Sequence, residues 1–162
     1  MNEEDLYRLA EQAGFRLQER GLRLVTAESC TGGWLAQCVT DVAGSSGWFE
    51  CGLVSYSNAS KCALLGVKAE TLETDGAVSE ATVRAMTAGA LHRCAADIAV
   101  AVSGIAGPGG GTPLKPVGTV WLAWERRDQG CTTRLLTLTG NRRTIRRQAV
   151  LAALQGIMTL CE

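Results

Sequence analysis

A chain of 162 residues, 46% of them hydrophobic, is long enough for one substantial core, and no linker-like stretch divides it, so residues 1–162 read as a single domain. Sixteen basic and sixteen acidic side chains give a formal net charge of zero, which removes any bulk electrostatic case for nucleic acid or an anionic membrane. Seven cysteines without a CxxC pair, and a lone His92, argue against a disulfide framework and against a zinc site, so no metal is expected. With no basic-then-apolar leader and no apolar run of membrane-spanning length, the chain reads as a cytoplasmic protein without a membrane partner.

Glu3, Glu4 and Asp5 precede Leu6, Leu9, Ala10, Ala13 and Leu17, the pattern of an amphipathic helix with acids near its positive end. Gly21 closes a turn and Leu22 to Thr26 predicts a short buried strand. A corner over residues 27–33 leads to a helix from Gly33 to Val42, and Ala43 to Gly47 breaks that pattern. Glu50 to Ser57 predicts a second strand, with Asn58 capping a short helix that Gly66 ends. Residues 67–78 read as a polar crossing, followed by a helix from Ser79 or Glu80 through Cys94 that leaves His92 at the surface. Asp97 to Ser103 is the clearest buried strand and runs into a glycine-rich loop, residues 104–112. Val117 to Trp124 and Cys131 to Thr139 predict an antiparallel pair, and Asn141 opens a last helix. About five strands and five helices in this order predict an α/β, three-layer α/β/α sandwich on a mixed, mostly parallel five-strand sheet.

The chemistry-bearing residues gather where strands end. Ser29, with Cys30, Thr31, Gly32 and Gly33, follows the first strand at a tight strand-to-helix corner, where a hydroxyl and backbone N–H groups are exposed together. No histidine stands near, so a base for Ser29 has to come from elsewhere, and Lys61 in a dry pocket fits, either directly or through Tyr56. Glu28, the one acid at this corner, can fix the backbone, accept a ligand hydroxyl, pair with Lys61 or, were Ser29 not a nucleophile, serve as general base, and the Ser103 hydroxyl can orient water or the attacked group. The glycines of the 104–112 loop, Gly104, Gly107, Gly110 and Gly111, allow close backbone contact with a phosphate or ribose, although the loop is neither a Walker sequence nor a dinucleotide fingerprint. Arg142, Arg143, Arg146 and Arg147 crowd the positive end of the last helix, which asks for an anion or a partner carboxylate. A nucleotide-binding module without catalysis, a phosphohydrolase and a broader serine amidase remain open on these residues alone.

Taken in order, Ala27-Glu28-Ser29-Cys30-Thr31-Gly32-Gly33, Tyr56-Ser57-Asn58 with Lys61, Gly76-Ala77-Val78-Ser79, Ser103-Gly104-Ile105-Ala106-Gly107-Pro108, Gly110-Gly111 and Lys115-Pro116-Val117-Gly118-Thr119-Val120 resemble the CinA C-terminal domain family across essentially the whole chain. The resemblance implies deamidation of nicotinamide mononucleotide to nicotinate mononucleotide and ammonia, without a cofactor, in a protein that is commonly a homo-oligomer. It matches Ser29 to the nucleophile, Tyr56 and Lys61 to its catalytic partners, Ser103 to the hydroxyl before the glycine loop, and Arg142 and Arg146 to substrate-facing cations. Asn141 stands where the family often has aspartate.

Overall fold

The computed structural model describes residues 3–161; the outermost residues of the 1–162 span, and the Glu3 side chain, lie outside what is described. Six α-helices and five strands follow one another as α1 (Glu3–Glu19), β1 (Leu24–Glu28), α2 (Trp34–Thr40), β2 (Phe49–Val54), α3 (Asn58–Leu65), α4 (Ala69–Asp75), α5 (Glu80–Arg93), β3 (Ile98–Gly104), β4 (Thr119–Arg126), β5 (Gly130–Thr137) and α6 (Arg142–Leu160). The sheet order is β2-β1-β3-β4-β5. β1 pairs in parallel with β2 and β3, whereas β3–β4 and β4–β5 are antiparallel. The expected three-layer sandwich with a mixed five-strand sheet is the fold observed.

Alternation along the central strands divides the core in two. Leu24 of β1 and Ile98, Val100 and Val102 of β3 pack beneath α1, α2 and α6, together with Leu17, Leu35 and Leu154. Val25, Ala27, Ala99 and Ala101 face the opposite layer, where Val83, Met86 and Ala90 of α5 cover them. Both faces of β1 and β3 are therefore buried, and these strands read as unbroken apolar runs. The helix between β1 and β2 lies on one face, and the helices between β2 and β3 lie on the other. Right-handed crossovers demand this when a chain moves first to one side of β1 and then to the other.

Small residues set the spacing of the α3–α5 layer. A methyl added at Gly89 of α5 would stand 1.7 Å from the Leu65 carbonyl oxygen, so the two helices touch backbone to backbone there. Gly89→Ala gains up to about 1 kcal/mol of helix propensity. The obstacle is a backbone carbonyl that cannot rotate aside, however, and overpacking of this kind typically costs about 1–3 kcal/mol. We expect net destabilisation, measured as a lower urea midpoint at an unchanged m-value.

Several boundaries differ from the sequence expectation. β1 begins and ends two residues later than predicted, so Ala27 and Glu28 belong to the strand and the corner starts at Ser29. β2 ends at Val54, and the cap of α3 is Ser57, whose hydroxyl accepts from Ser60 N, in place of Asn58. The polar crossing contains a sixth helix, α4, whose single buried residue, Leu72, left no amphipathic signature to read. β4 and β5 are displaced by about two residues from their predicted ends, with β4 running on to Arg126.

Candidate active site

In the order β2-β1-β3, the chain leaves β1 to one side and returns to the other, so the carboxyl ends of β1 and β3 flank the switch point of the sheet. Ser29 follows β1 and Ser103 is the penultimate residue of β3. Between them is a cavity of about 210 Å³ lined by Ser29, Cys30, Tyr56, Lys61, Ser103 and Arg142, with Ala77, Val78, Gly104 and Ala106 closing its walls. The corners separated in sequence thus meet over one small space.

Glu28 explains how the first corner is held. Its side chain is fully buried. Its carboxylate accepts from Thr31 Oγ1 at 2.7 Å, Leu35 N at 2.9 Å and Ala36 N at 3.0 Å. A carboxylate on the exposed N–H groups of a helix start satisfies donors that the helix cannot. Glu28 therefore ties β1 to α2 from behind, and the sequence alternatives of pairing with Lys61 or facing a ligand are not what the geometry displays. Gly33, at φ 95°, precedes α2 in the left-handed region and turns the chain into it.

Lys61 is the unusual member of the cavity. It sits on the first turns of α3, with only 1% of its surface exposed. Its Nζ lies 2.9 Å from Ser29 Oγ, 3.0 Å from the Ser55 carbonyl oxygen and 3.1 Å from the Tyr56 carbonyl oxygen. As an ammonium it donates to all three. With one proton lost, two N–H bonds stay on the carbonyls and the lone pair is left pointing at Ser29 Oγ. Burial works towards that neutral state, holding the Lys61 amine below its ordinary 10.5, against a smaller opposing influence from Cys30. Burial also pushes the Cys30 thiol up to about 11, so the thiol beside the serine stays protonated near neutrality. Of the two routes open in the sequence, the direct Lys61–Ser29 contact is the one formed.

The other predicted residues divide into those facing the cavity and those supporting it. The Tyr56 side chain is exposed, and its hydroxyl accepts from Arg142 Nη2 at 3.1 Å. Arg142 also donates to the Gly107 carbonyl oxygen at 2.8 Å, which fastens the glycine loop to the start of α6. The Ser103 hydroxyl donates to the Ala77 carbonyl oxygen at 2.7 Å, so its proton is committed and its oxygen remains an acceptor. Arg146 clasps the serine corner, donating through Nε to Cys30 O at 2.9 Å and through Nη2 to Thr31 O at 2.8 Å. Thr31, Gly32 and Gly33 do not line the cavity, nor do Gly107, Gly110 and Gly111. A methyl at Gly111 would stand 2.8 Å from Val117 N and one at Gly104 would stand 2.6 Å from Val120 Cγ2, so packing alone accounts for glycine at both. Ala77, Val78 and Ala106 are the lining residues that sequence reasoning did not single out as site residues. Ala77 and Val78 lie between α4 and α5, away from any strand end, and the Ser103–Ala77 bond ties that segment to β3.

Asn141 caps α6, its Oδ1 accepting from Thr144 N at 2.9 Å and Thr144 Oγ1 at 3.0 Å. The cap needs an acceptor, which asparagine provides as aspartate would. Among the described residues no three His, Cys, Asp or Glu side chains come together as a metal-holding group.

A buried lysine amine against a serine hydroxyl, on a strand-to-helix corner at the switch point of an open α/β sheet, is an arrangement that can supply a nucleophile and its base. The family model described as the CinA C-terminal domain matches residues 6–161, and the chain belongs to that family. Among its relatives, the nicotinamide-nucleotide amidohydrolase PncC of Escherichia coli (strain K12) is 52% identical over 157 residues, covering 97% of this chain and 95% of its own. The protein of the same name from Shigella flexneri is 53% identical over 158 residues, with the same coverage. A solved structure, that of competence/damage inducible protein CihA from Agrobacterium tumefaciens, superposes with a TM-score of 0.95 at 43% identity, covering 98% of this chain and 96% of that one.

Proposed function

We propose that this protein is a nicotinamide-nucleotide amidase, hydrolysing nicotinamide mononucleotide to nicotinate mononucleotide and ammonia in pyridine nucleotide salvage. The observation that carries the reading is the 2.9 Å contact between Lys61 Nζ and Ser29 Oγ, inside a cavity of about 210 Å³. That space suits a pyridine carboxamide and leaves the ribose and phosphate to extend past its mouth, where Arg142 stands.

In this reading neutral Lys61 takes the Ser29 proton as Oγ attacks the carboxamide carbon, and the carbonyl oxygen becomes an oxyanion. The N–H groups of Ser29, Gly32 and Trp34 are engaged by Val102 O, Ser29 O and Thr31 O, so the oxyanion falls to the remaining N–H groups of the corner. Collapse expels ammonia, which gains its proton from the Lys61 ammonium, directly or relayed through Tyr56, so that Lys61 is neutral again. The Tyr56 oxygen accepts from Arg142 and keeps its own proton available. Water then attacks the acyl-serine, again with Lys61 as base, and nicotinate mononucleotide leaves with Ser29 restored.

Residues 1–162 act as one domain in this proposal, and the protein works as a cytoplasmic homo-oligomer. The cytoplasm is supported by seven free cysteines and by the absence, among the described residues, of any helix long and apolar enough to cross a membrane. Self-association is supported by a zero net charge and by exposed Phe15 on α1 and Leu135 on the edge strand β5. The decisive assay is ammonia release from nicotinamide mononucleotide by the purified chain. Stoichiometric ammonia and nicotinate mononucleotide are expected. Nucleotide binding without release would return the protein to the class of binding modules.

A further inference from the structure

The sheet ends in two edge strands, and they are built differently. At β2 the pairing register shifts between Leu24 and Val25. Arg23 there pairs with Glu50 at 2.6 Å, and its Nη2 donates to the Phe49 carbonyl oxygen at 3.4 Å. An interrupted register, a charge pair and a covered carbonyl blunt an edge against further strands. β5 carries little of this. It runs Gly130–Thr137 without a proline and without a register shift against β4, and Arg134 is its single charge.

Two hydrogen bonds fix the direction of its backbone groups. Leu138 N–H donates inward to the Gly118 carbonyl oxygen at 2.8 Å, whereas the Cys131 carbonyl oxygen turns outward and accepts from Arg84 Nη1 of α5 at 3.1 Å. These directions alternate along an antiparallel ladder, so Cys131, Thr133, Leu135 and Thr137 present their N–H and C=O groups away from β4. Arg84 holds the first of these carbonyls. Among the described residues no backbone group takes up those of Thr133, Leu135 and Thr137. The Thr133 hydroxyl donates to Glu80 of α5, so Thr133, and with it Leu135 and Thr137, lie on the α5 face of the sheet. Leu135 is 50% exposed there.

We propose that β5 pairs with β5 of a second copy of this chain, antiparallel about a two-fold axis at Leu135, so that one sheet runs through both protomers. This deepens the homo-oligomer reading given above by naming its surface. The outward residues read Thr-Leu-Thr in either direction, the self-complementarity that an isologous contact requires. An axis at Leu135 sets that leucine against its own copy and Thr133 against Thr137, an apolar pair and a Thr–Thr pair that are both favourable across strands. It also sets Arg134 opposite Leu136 of the second copy, clear of the other guanidinium. The zero net charge of each chain leaves no long-range repulsion to overcome. Neighbouring axes lack these properties. At Thr133 the ladder would need the Cys131 carbonyl that Arg84 holds. At Arg134 two guanidiniums would oppose each other, and the backbone groups on the axis point to β4. The serine corner follows β1, with β3 and β4 between it and this edge, so pairing at β5 leaves turnover per chain unchanged.

The test is sedimentation equilibrium of the full chain from micromolar to millimolar loading, where wild type should be a dimer. Leu135→Lys and Leu135→Glu alter a half-exposed side chain and place like charges opposite each other on the axis. Each alone should weaken the dimer Kd by about a hundredfold or more. An equimolar mixture of the two should recover a dimer with one copy of each, because residue 135 meets residue 135 only across this axis. Phe15→Glu, on exposed α1, should leave the wild-type dimer intact. Urea midpoints of the variants at dilution should match wild type, which separates lost pairing from lost folding. A wild-type oligomer that both Leu135 variants leave intact, or that the mixture fails to restore, overturns this interface and keeps the homo-oligomer reading. A wild type that stays monomeric at millimolar loading overturns both. None of these readouts uses ammonia release, so they stand apart from the amidase reading.

Discussion

Replacing Lys61 by methionine is expected to lower kcat/KM for nicotinamide mononucleotide by roughly 10²–10⁴-fold, the usual range for losing a positioned general base. Methionine keeps most of the unbranched stem and removes the amine, so α3 retains its packing on the α4–α5 layer. Two consequences separate a base from a structural cation. The first is the pH profile. A base must be neutral, so wild-type kcat/KM should climb with pH through an ionisation below the ordinary lysine value of 10.5, the direction in which burial moves Lys61. The residual activity of Lys61→Met should not show that ascending limb. An unchanged profile would remove Lys61 from the base role.

The second consequence concerns stability. In the interval between the lowered folded value and 10.5, the unfolded chain binds the Lys61 proton and the folded chain does not. Stability then rises with pH across that interval, and below it the full cost of burying the charge is present. Lys61→Met should abolish this particular rise, seen as a smaller gain in urea midpoint on moving from neutral to alkaline pH. The variant also leaves the Ser55 and Tyr56 carbonyls without their Nζ donor, which offsets part of the relief at neutral pH.

The layered fold could be read from the chain because its signals are local. Periodicity marks α1 and α6, and the unbroken Ile98–Val102 run marks a strand buried on both faces. The late pair β4–β5 announces itself by the turn between two β-branched and aromatic stretches. What misled was polarity at buried positions. Glu28 reads as a corner residue because it is charged, yet it completes β1, since the Thr31 hydroxyl of the corner and two N–H groups of α2 satisfy its carboxylate. Lys61 could be singled out in the sequence only because Ser29 lacked a histidine; what buries it is Ser29 and two carbonyls, brought in by β1 and β2. The Glu28 partners stand only three to eight residues on, but nothing in that window shows that they turn back onto the carboxylate, whereas Lys61 meets Ser29 from 32 residues away, beyond any short window. Arg146 is the sharpest instance. A helix start crowded with arginines suggests a ligand anion, but the guanidinium of this one is spent on backbone carbonyls 115 and 116 residues away.

Ser29→Ala should be the most damaging single change, with turnover falling at least about 10³-fold and the fold left intact. The side chain is 7% exposed and its oxygen meets Lys61 Nζ, which keeps both carbonyl partners when the hydroxyl is gone. Alanine also suits the backbone, because Ser29 N still donates to Val102 O and Ser29 O still accepts from Gly32 N. An equal urea midpoint beside lost turnover is therefore the expected pair of results. A loss of 10³ corresponds to about 4 kcal/mol of barrier, the upper end of what removing one oxyanion donor costs. Substrate affinity should barely move, since ring, ribose and phosphate contacts all lie beyond Oγ; a direct binding titration with nicotinamide mononucleotide reads this separately from kcat. The covalent step has its own signature. In wild type, rapid quenching during turnover should trap a chain heavier by the nicotinate mononucleotide acyl group on the peptide containing Ser29, and the alanine variant should give none. Turnover near wild type from Ser29→Ala would mean that water attacks the carboxamide directly. In that case Lys61, which already reaches into the cavity, would have to activate the water without an acyl intermediate.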